Sequence, residues 1–405
     1  TLAAVLKPFT RLDLTVMKKS LLVLFAVASG FAIGNLYFVQ PLLARISQDL
    51  GTSTVHNGWL VTSVQIGYSV GIILLLPLGD ALNRKIFVPV MMTLSGLGQI
   101  TIAFAPNFTV ISIAFMFVGF TTISGQVLVP LTSELSDDSN RGSNSSFIVS
   151  GMIVGILGAR TISGTLSDLI GWHSTFLVIG AANVALAALL YTRIPHLPAT
   201  VKEPYHRLIS GIFAIWRKNP WVFRLMLNTS MGMMLFSAMW TSITFYLSAA
   251  PFNYSTTQIG LWGLIGVIGA VGARFTGKFI DSGRGDFYAK VALGVAATAL
   301  AIGSLAPLSM VFLVVMLFMR ELSGNVVAIN TQTQVIAMFP HARSRVNAGY
   351  ASVNFVGQAL GSASAVLLWP AIGWTGIMLM CSALGFCALL FWIYNMRTKP
   401  LTPTF

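Results

Sequence analysis

Apolar runs of about twenty residues recur from one end of this chain to the other, separated by short polar connections. A run of that length crosses the hydrocarbon layer of a bilayer as an α-helix. Inside lipid only helices and closed barrels satisfy every backbone hydrogen bond, and the short alternating segments of a membrane barrel are absent. Composition removes the soluble alternative. Charged residues are 9% and hydrophobic residues 55% of 405, and mean hydropathy is +0.80, whereas a soluble domain is about 25% charged. The chain therefore reads as an all-α membrane protein that crosses the bilayer many times. Its two cysteines, Cys381 and Cys387, share one apolar segment and suggest neither a disulfide framework nor a metal site.

Twelve spans can be placed, at about 20–44, 57–79, 86–105, 109–134, 144–168, 173–195, 221–249, 258–280, 288–306, 309–338, 346–370 and 374–396. With the N-terminus inside, nearly all of the 24 Lys and Arg fall on one side. Arg45 alone falls on the other, and Arg160, Arg274 and Arg320 lie within spans. This positive-inside pattern puts both termini in the cytoplasm. It also accounts for the net charge of +13 without nucleic acid, since no basic domain stands apart.

The first methionine, Met17, opens "MKKSLLVLF", so residues 1–16 read as an upstream extension without a fold. The apolar stretch after Lys19 runs too far to be a cleaved leader and reads as an uncleaved first helix. The expected organisation is a first six-helix bundle over 17–196, a linker over 197–220, a second bundle over 221–396, and a tail over 397–405. In the linker, Leu208, Ile209, Ile212, Phe213 and Trp216 make "PYHRLISGIFAIWRKNP" amphipathic, which fits either an interfacial helix or an ordinary connection.

The halves repeat. Gly171 and Trp172 recur as Gly373 and Trp374, Arg141 as Arg343, and Gly155 as Gly357, all 202 residues apart, and Asp80 recurs as Asp281 after 201. Two parallel six-helix repeats with a site between them form a known carrier architecture.

The stretches "PLGDALNRK", "GQVLVPLTSELSDDSNRG", "SGMIVGILGARTISG", "GWHSTF" and "RSRVNAG" resemble the major facilitator superfamily over nearly the whole length from Met17. They are most similar to its proton-exchanging drug and sugar (arabinose-type) efflux permeases. The resemblance implies twelve transmembrane helices in two six-helix pseudo-repeats that rock about a midplane site. In the family's loop after span two, Asp80, Arg84 and Lys85 fit the pattern. Leu76 stands where glycine is expected, with Gly79 adjacent to the aspartate, and Ala81 and Asn83 replace arginine and glycine. The second copy keeps Gly277 and Asp281. The resemblance gives Gly79, Asp80, Arg84, Lys85, Glu134 and Asp281 the role of a conformational latch at the inner face, with Arg84 reaching Glu134. The alternative is that Arg84 and Lys85 only set orientation.

Span five carries Gly151, Gly155 and Gly158 at helical spacing, which lets another helix approach closely. It lacks the Gly-Pro of the family's antiporter motif, and Phe115 stands near the position of an arginine that many members carry in span four. Of the eleven acidic residues only Glu321 falls near the middle of a span. A carboxyl taken out of water can bind and release a proton as access alternates, so Glu321, beside Arg320, is the candidate for proton coupling, and a structural pair of the two is the alternative. Candidates for the substrate cavity are Asn35, Tyr37, Gln40, Gln65, Gln126, Arg160, Trp240, Asn325, Gln332, Asn354 and Gln358, polar or aromatic residues placed in spans.

No nucleotide-binding loop is present, and no cofactor or metal is expected. The expected function is export of a sugar or drug-like solute in exchange for protons by a monomer in a bacterial inner membrane. An uncoupled facilitator, an importer of the same fold, and a non-transporting product of a decayed gene are the alternatives.

Overall fold

The computed structural model describes residues 18–137, 139–196, 204–266, 284–339 and 342–399, and only the backbone of Asp80, Arg343 and Ser344. The proposed extension 1–16, Asp281, part of the linker, the inner part of span eight and the last residues of the tail lie outside the described residues.

The described residues form helices and no strands. The first half comprises α1 (Lys19–Gly34), α2 (Leu43–Leu50), α3 (Thr54–Leu74), α4 (Leu76–Ala81), α5 (Arg84–Ala103), α6 (Phe108–Thr121), α7 (Ser124–Leu135) and α8 (Arg141–Arg193). A linking helix α9 (Tyr205–Lys218) follows. The second half comprises α10 (Pro220–Ser248), α11 (Thr256–Trp262), α12 (Gly285–Gly303), α13 (Met310–Ala337) and α14 (Arg343–Arg397). The polar punctuation of the sequence supplies the helix starts. Ser53, Asn83, Asn107, Ser255 and Ser309 each accept a backbone N–H of the following first turn, which satisfies donors that a helix leaves open.

Several spans are broken rather than straight. Span one is α1 followed by turns and a 3-10 turn at Gln40–Leu42, and span four is α6 and α7 joined through Thr122 and Ile123. The long helices α8 and α14 are each two spans meeting at a glycine with positive φ, +79° at Gly171 and +56° at Gly373. Side chains with a Cβ disfavour that region, so the repeated Gly-Trp marks a repeated backbone break. The indole after each break donates to a neighbour, Trp172 to the Asp49 carboxylate at 2.5 Å and Trp374 to the Gly303 carbonyl at 2.8 Å.

The other repeated glycine sets helix spacing. A Cβ on Gly155 would lie 2.0 Å from the Gly30 carbonyl oxygen, and a Cβ on Gly357 2.3 Å from the Ser230 carbonyl oxygen. Span five thus rests directly on the backbone of span one, and span eleven on that of span seven, as small residues permit in membranes. Gly151 shares the first contact, meeting Ala26. Gly158 does not: among the described residues its Cβ would meet only its own helix's Ile162, so among them the expected three-glycine face is a two-glycine face. Each half has six spans, and the chain is a twelve-helix protein of two repeated bundles.

Helix α9 bridges them. Leu208 and Ile212 are buried, the Tyr205 hydroxyl donates to the Leu74 carbonyl at 2.5 Å, and the Trp216 indole packs on Gly349 of α14. The substitution Gly155→Ala is expected to lower stability by at least about 2 kcal/mol, because neither backbone can yield without repacking. Gly158→Ala is expected to change it by less than about 0.5 kcal/mol. Thermal unfolding of both variants in detergent checks the difference.

Candidate solute-binding site

Lys and Arg cluster at one end of the bundle, where α5 and α8 begin at Arg84 and Arg141 and where α8 and α14 finish at Arg193 and Arg397. The halves meet most closely toward the opposite end. There the Asp168 carboxylate of α8 accepts the Thr256 hydroxyl at 2.6 Å and the Thr257 N–H at 2.8 Å. Gly164 faces the Thr256 carbonyl and Gly260 faces the Arg160 carbonyl, each so closely that a Cβ would stand 2.3 Å or 2.4 Å from the oxygen. On the other side of the interface the Thr62 and Ser362 hydroxyls are 2.8 Å apart, and the Gln65 amide donates to Ser237 at 3.0 Å and accepts from Ser362 at 2.8 Å.

Between this seal and the basic end lies a cavity of about 390 Å³. Of the cavity candidates, Tyr37, Gln126, Asn325, Gln332, Asn354 and Gln358 line it, together with the proton-coupling candidates Arg320 and Glu321, among many apolar side chains including Met152, Ile156 and Phe236. Val149, Gln332 and Asn347 carry the lining toward the basic ends of their helices, so the cavity extends on the side away from the seal.

At its closed end a group of aromatic and charged side chains connects the halves. The Arg160 guanidinium, 3% exposed, lies 4.7 Å from the Tyr37 ring centre and 4.4 Å from that of Trp240. Its Nε donates to the Gln40 amide oxygen at 2.6 Å. The Trp240 indole in turn donates to Glu321 Oε1 at 3.2 Å. Arg320, 5% exposed, donates to the Gly232 carbonyl at 2.7 Å and stands 5.9 Å from the Phe236 ring. Desolvated guanidinium groups gain from aromatic faces, but one donor of each is left over: Arg160 Nη2 and Arg320 Nε are buried without a hydrogen-bond partner among the described residues.

Other expectations need correction. Asn35 does not face the cavity. It is buried inside the first half, donating to Ser95 at 2.9 Å and Thr122 at 3.1 Å and accepting from Gln99 at 2.8 Å, with Asn183 joined to the same network. A buried amide makes all its bonds where partners are nearest, and here those are helices of its own bundle. Gln65 belongs to the seal, for the reason of its bonds to Ser237 and Ser362. Gln40, Arg160 and Trp240 form the cavity's closed end behind Tyr37 and Glu321 rather than its lining. Phe115, at the arginine position, packs on Phe176 inside the first bundle with ring centres 5.3 Å apart.

At the basic end Arg84, 4% exposed, donates from Nε to the Gly79 carbonyl at 2.9 Å and from Nη1 to the Glu134 carboxylate. Both partners belong to the first half, so these bonds tie α4, α5 and α7 together. Lys85 lies 5.9 Å from the Tyr191 ring centre. Of the other expected latch residues, the Asp80 side chain and Asp281 lie outside the described atoms. The sequence reading missed Asp168 and Thr256 at the seal. The signal was present, since Ser255-Thr-Thr starts a capped helix and Asp168 ends span five, but it shows only when the halves are docked.

Two repeated bundles around a largely apolar cavity at mid-span, set with a few polar and charged side chains, are the architecture of a helical membrane transporter. The Major Facilitator Superfamily model matches residues 22–334, and the chain belongs to that family. It is 32% identical over 376 residues to an uncharacterized transporter, YgaY, of Escherichia coli O157:H7, covering 93% of this chain and 95% of that one. It is 22% identical over 388 residues to a probable sugar efflux transporter of Helicobacter pylori strain ATCC 700392 / 26695, covering 92% and 94%. Among solved structures it superposes with TM-score 0.75 and 14% identity on a bacterial homolog of the human lysosomal transporter Spinster in an inward-facing, unoccupied conformation, covering 95% and 98% of the two chains. The chain is a transporter and not an enzyme.

A wedge at the seal tests its geometry. In a background with Cys381 and Cys387 replaced by serine, a single cysteine at Ser362, buried in the seal, is expected to react with an impermeant maleimide from the sealed side at least about tenfold faster once Gly164→Leu is added, because the halves cannot close over the new side chain.

Proposed function

We propose that this transporter moves a small organic solute, of sugar or drug-like size, with its transport coupled to protons at Glu321. The observation that carries the reading is that Glu321 is the one carboxylate among the described residues lining the cavity, bonded to Trp240 at the junction of the halves. A carboxyl in that position exchanges protons with whichever side the cavity faces as the halves rock. Bundles 17–196 and 221–396 are the moving units of a monomer, joined through the linker 197–220, with both termini on the cytoplasmic side of a bacterial inner membrane, as the positive-inside rule directs. The Arg84–Glu134 contact keeps the loop after span two rigid at the cytoplasmic face, ready to meet the other half as a latch.

Export in exchange for protons is the direction supported by resemblance to efflux permeases and by the relative named as a probable sugar efflux transporter. Uptake of solute and proton together is the second reading. The two buried guanidinium groups near Glu321 favour it, because a proton on the carboxylate leaves both without a counter-charge.

Proteoliposomes with a lumenal pH dye, offered labelled sugars and drug-like compounds one at a time, test the proposal. A transported compound should shift lumenal pH, and the sign of the shift separates exchange from joint movement. Glu321→Gln should keep solute counterflow within about threefold while the proton signal falls to background. An unchanged proton signal in that variant removes Glu321 from the coupling role.

A further inference from the structure

Among the described residues the cavity's closed end holds two buried positive charges and one negative charge. Arg160 and Arg320 are 3% and 5% exposed, and Glu321, next to Arg320 in the chain, is joined to the ring under Arg160 through the Trp240 indole. Phe236 continues the chain of rings to Arg320, 6.4 Å from Trp240 between ring centres. A single carboxylate cannot answer two guanidinium groups, and a buried charge without a partner is costly. The shortfall is visible in the hydrogen bonds as well: Arg160 Nη2 and Arg320 Nε have no acceptor among the described residues. The rest of the wall is apolar, with Met152, Ile156, Met233 and Phe236.

We infer that the solute is an amphiphilic monoanion, an aromatic or aliphatic carboxylate whose anionic group meets Arg320 in the cavity wall and is drawn by the charge of Arg160 behind Tyr37 and Glu321, while its apolar body lies against Met152, Ile156 and Phe236. The inference rests on the cavity being the solute site and narrows that reading from sugar or drug-like to one charge type. A proton on Glu321 strengthens anion binding, so an anionic solute and the proton load together, and the inference favours joint movement, the second reading above, over exchange.

Glu321 is what makes the inference testable without knowing the natural solute. For an anion the Glu321 carboxylate is a competitor for the guanidinium donors, and for a cation it is the partner. Phenylacetate, phenylacetamide and phenethylamine share one ring and differ in charge. Binding of each to the intact protein in non-ionic detergent can be read from quenching of tryptophan fluorescence and from thermal stabilisation. Phenylacetate should bind at least about tenfold more tightly than the other two, as truncating one side of a buried charge pair predicts. Glu321→Gln should tighten phenylacetate by at least about threefold, and Arg160→Gln should weaken it by at least about tenfold, with Arg160→Lys in between. Because Arg160→Gln also loosens the junction of the halves, the tightening in Glu321→Gln decides the matter: a structural lesion does not improve binding. Tighter binding of phenethylamine, equal binding of phenylacetamide, or weaker phenylacetate binding in Glu321→Gln each overturns the inference. Chloride at equal ionic strength is the control, and displacement of phenylacetate by chloride alone would reduce the site to one for inorganic anions and overturn the amphiphile. Failure is distinguishable from failure of the transport reading, since a neutral sugar moved by a protein that ignores phenylacetate leaves transport standing. Phenylacetate bound with the stated signs but never moved leaves the site standing.

Discussion

Backbone-to-backbone contact between helices is the constraint on which this structure depends. Lipid offers helices no hydrophobic reason to associate, so they must gain from close packing. Span one against span five, and span seven against span eleven, achieve it at Gly155 and Gly357, where even a methyl group would overlap a carbonyl oxygen. The same device then joins the halves. Gly164 and Gly260 bring α8 and α11 together at the sealed end. One kind of contact thus builds each bundle and closes the two against each other.

Charge is handled in the opposite way at the two levels of the molecule. At the basic end Arg84 is buried against Gly79 and Glu134 of its own half. At the junction, Arg160 from the first half reaches Trp240 and, through it, Glu321 of the second. Its neighbours come from both units, so one charge ties helices within a bundle and the other lies where the bundles meet.

Much of this was legible in the sequence, and for physical reasons. Span length follows from bilayer thickness, and the 202-residue spacing of Gly171-Trp172 and Gly373-Trp374 reflects a backbone break that only glycine tolerates easily, so fold and repeat could be read directly. Glu321 stood out because carboxylates are rare within spans. The polar residues were harder. Asn35, Tyr37 and Gln40 lie on six consecutive positions, yet one enters a network inside the first bundle, one lines the cavity and one holds Arg160. The turns after α1 rotate these positions relative to an ideal helix, which a periodic reading cannot anticipate. The Asp168–Thr256 contact was invisible for a different reason: it joins residues 88 apart in two rigid units whose docking no local pattern records.

The seal is made of neutral hydroxyls, amides, glycine backbones and a single carboxylate held at hydrogen-bond range. Contacts of this sort act over a few ångströms, well inside the distance at which dissolved ions intervene. The contact between the halves at this end therefore depends on fit at close range, and the ionic strength of the surrounding water has little hold on it.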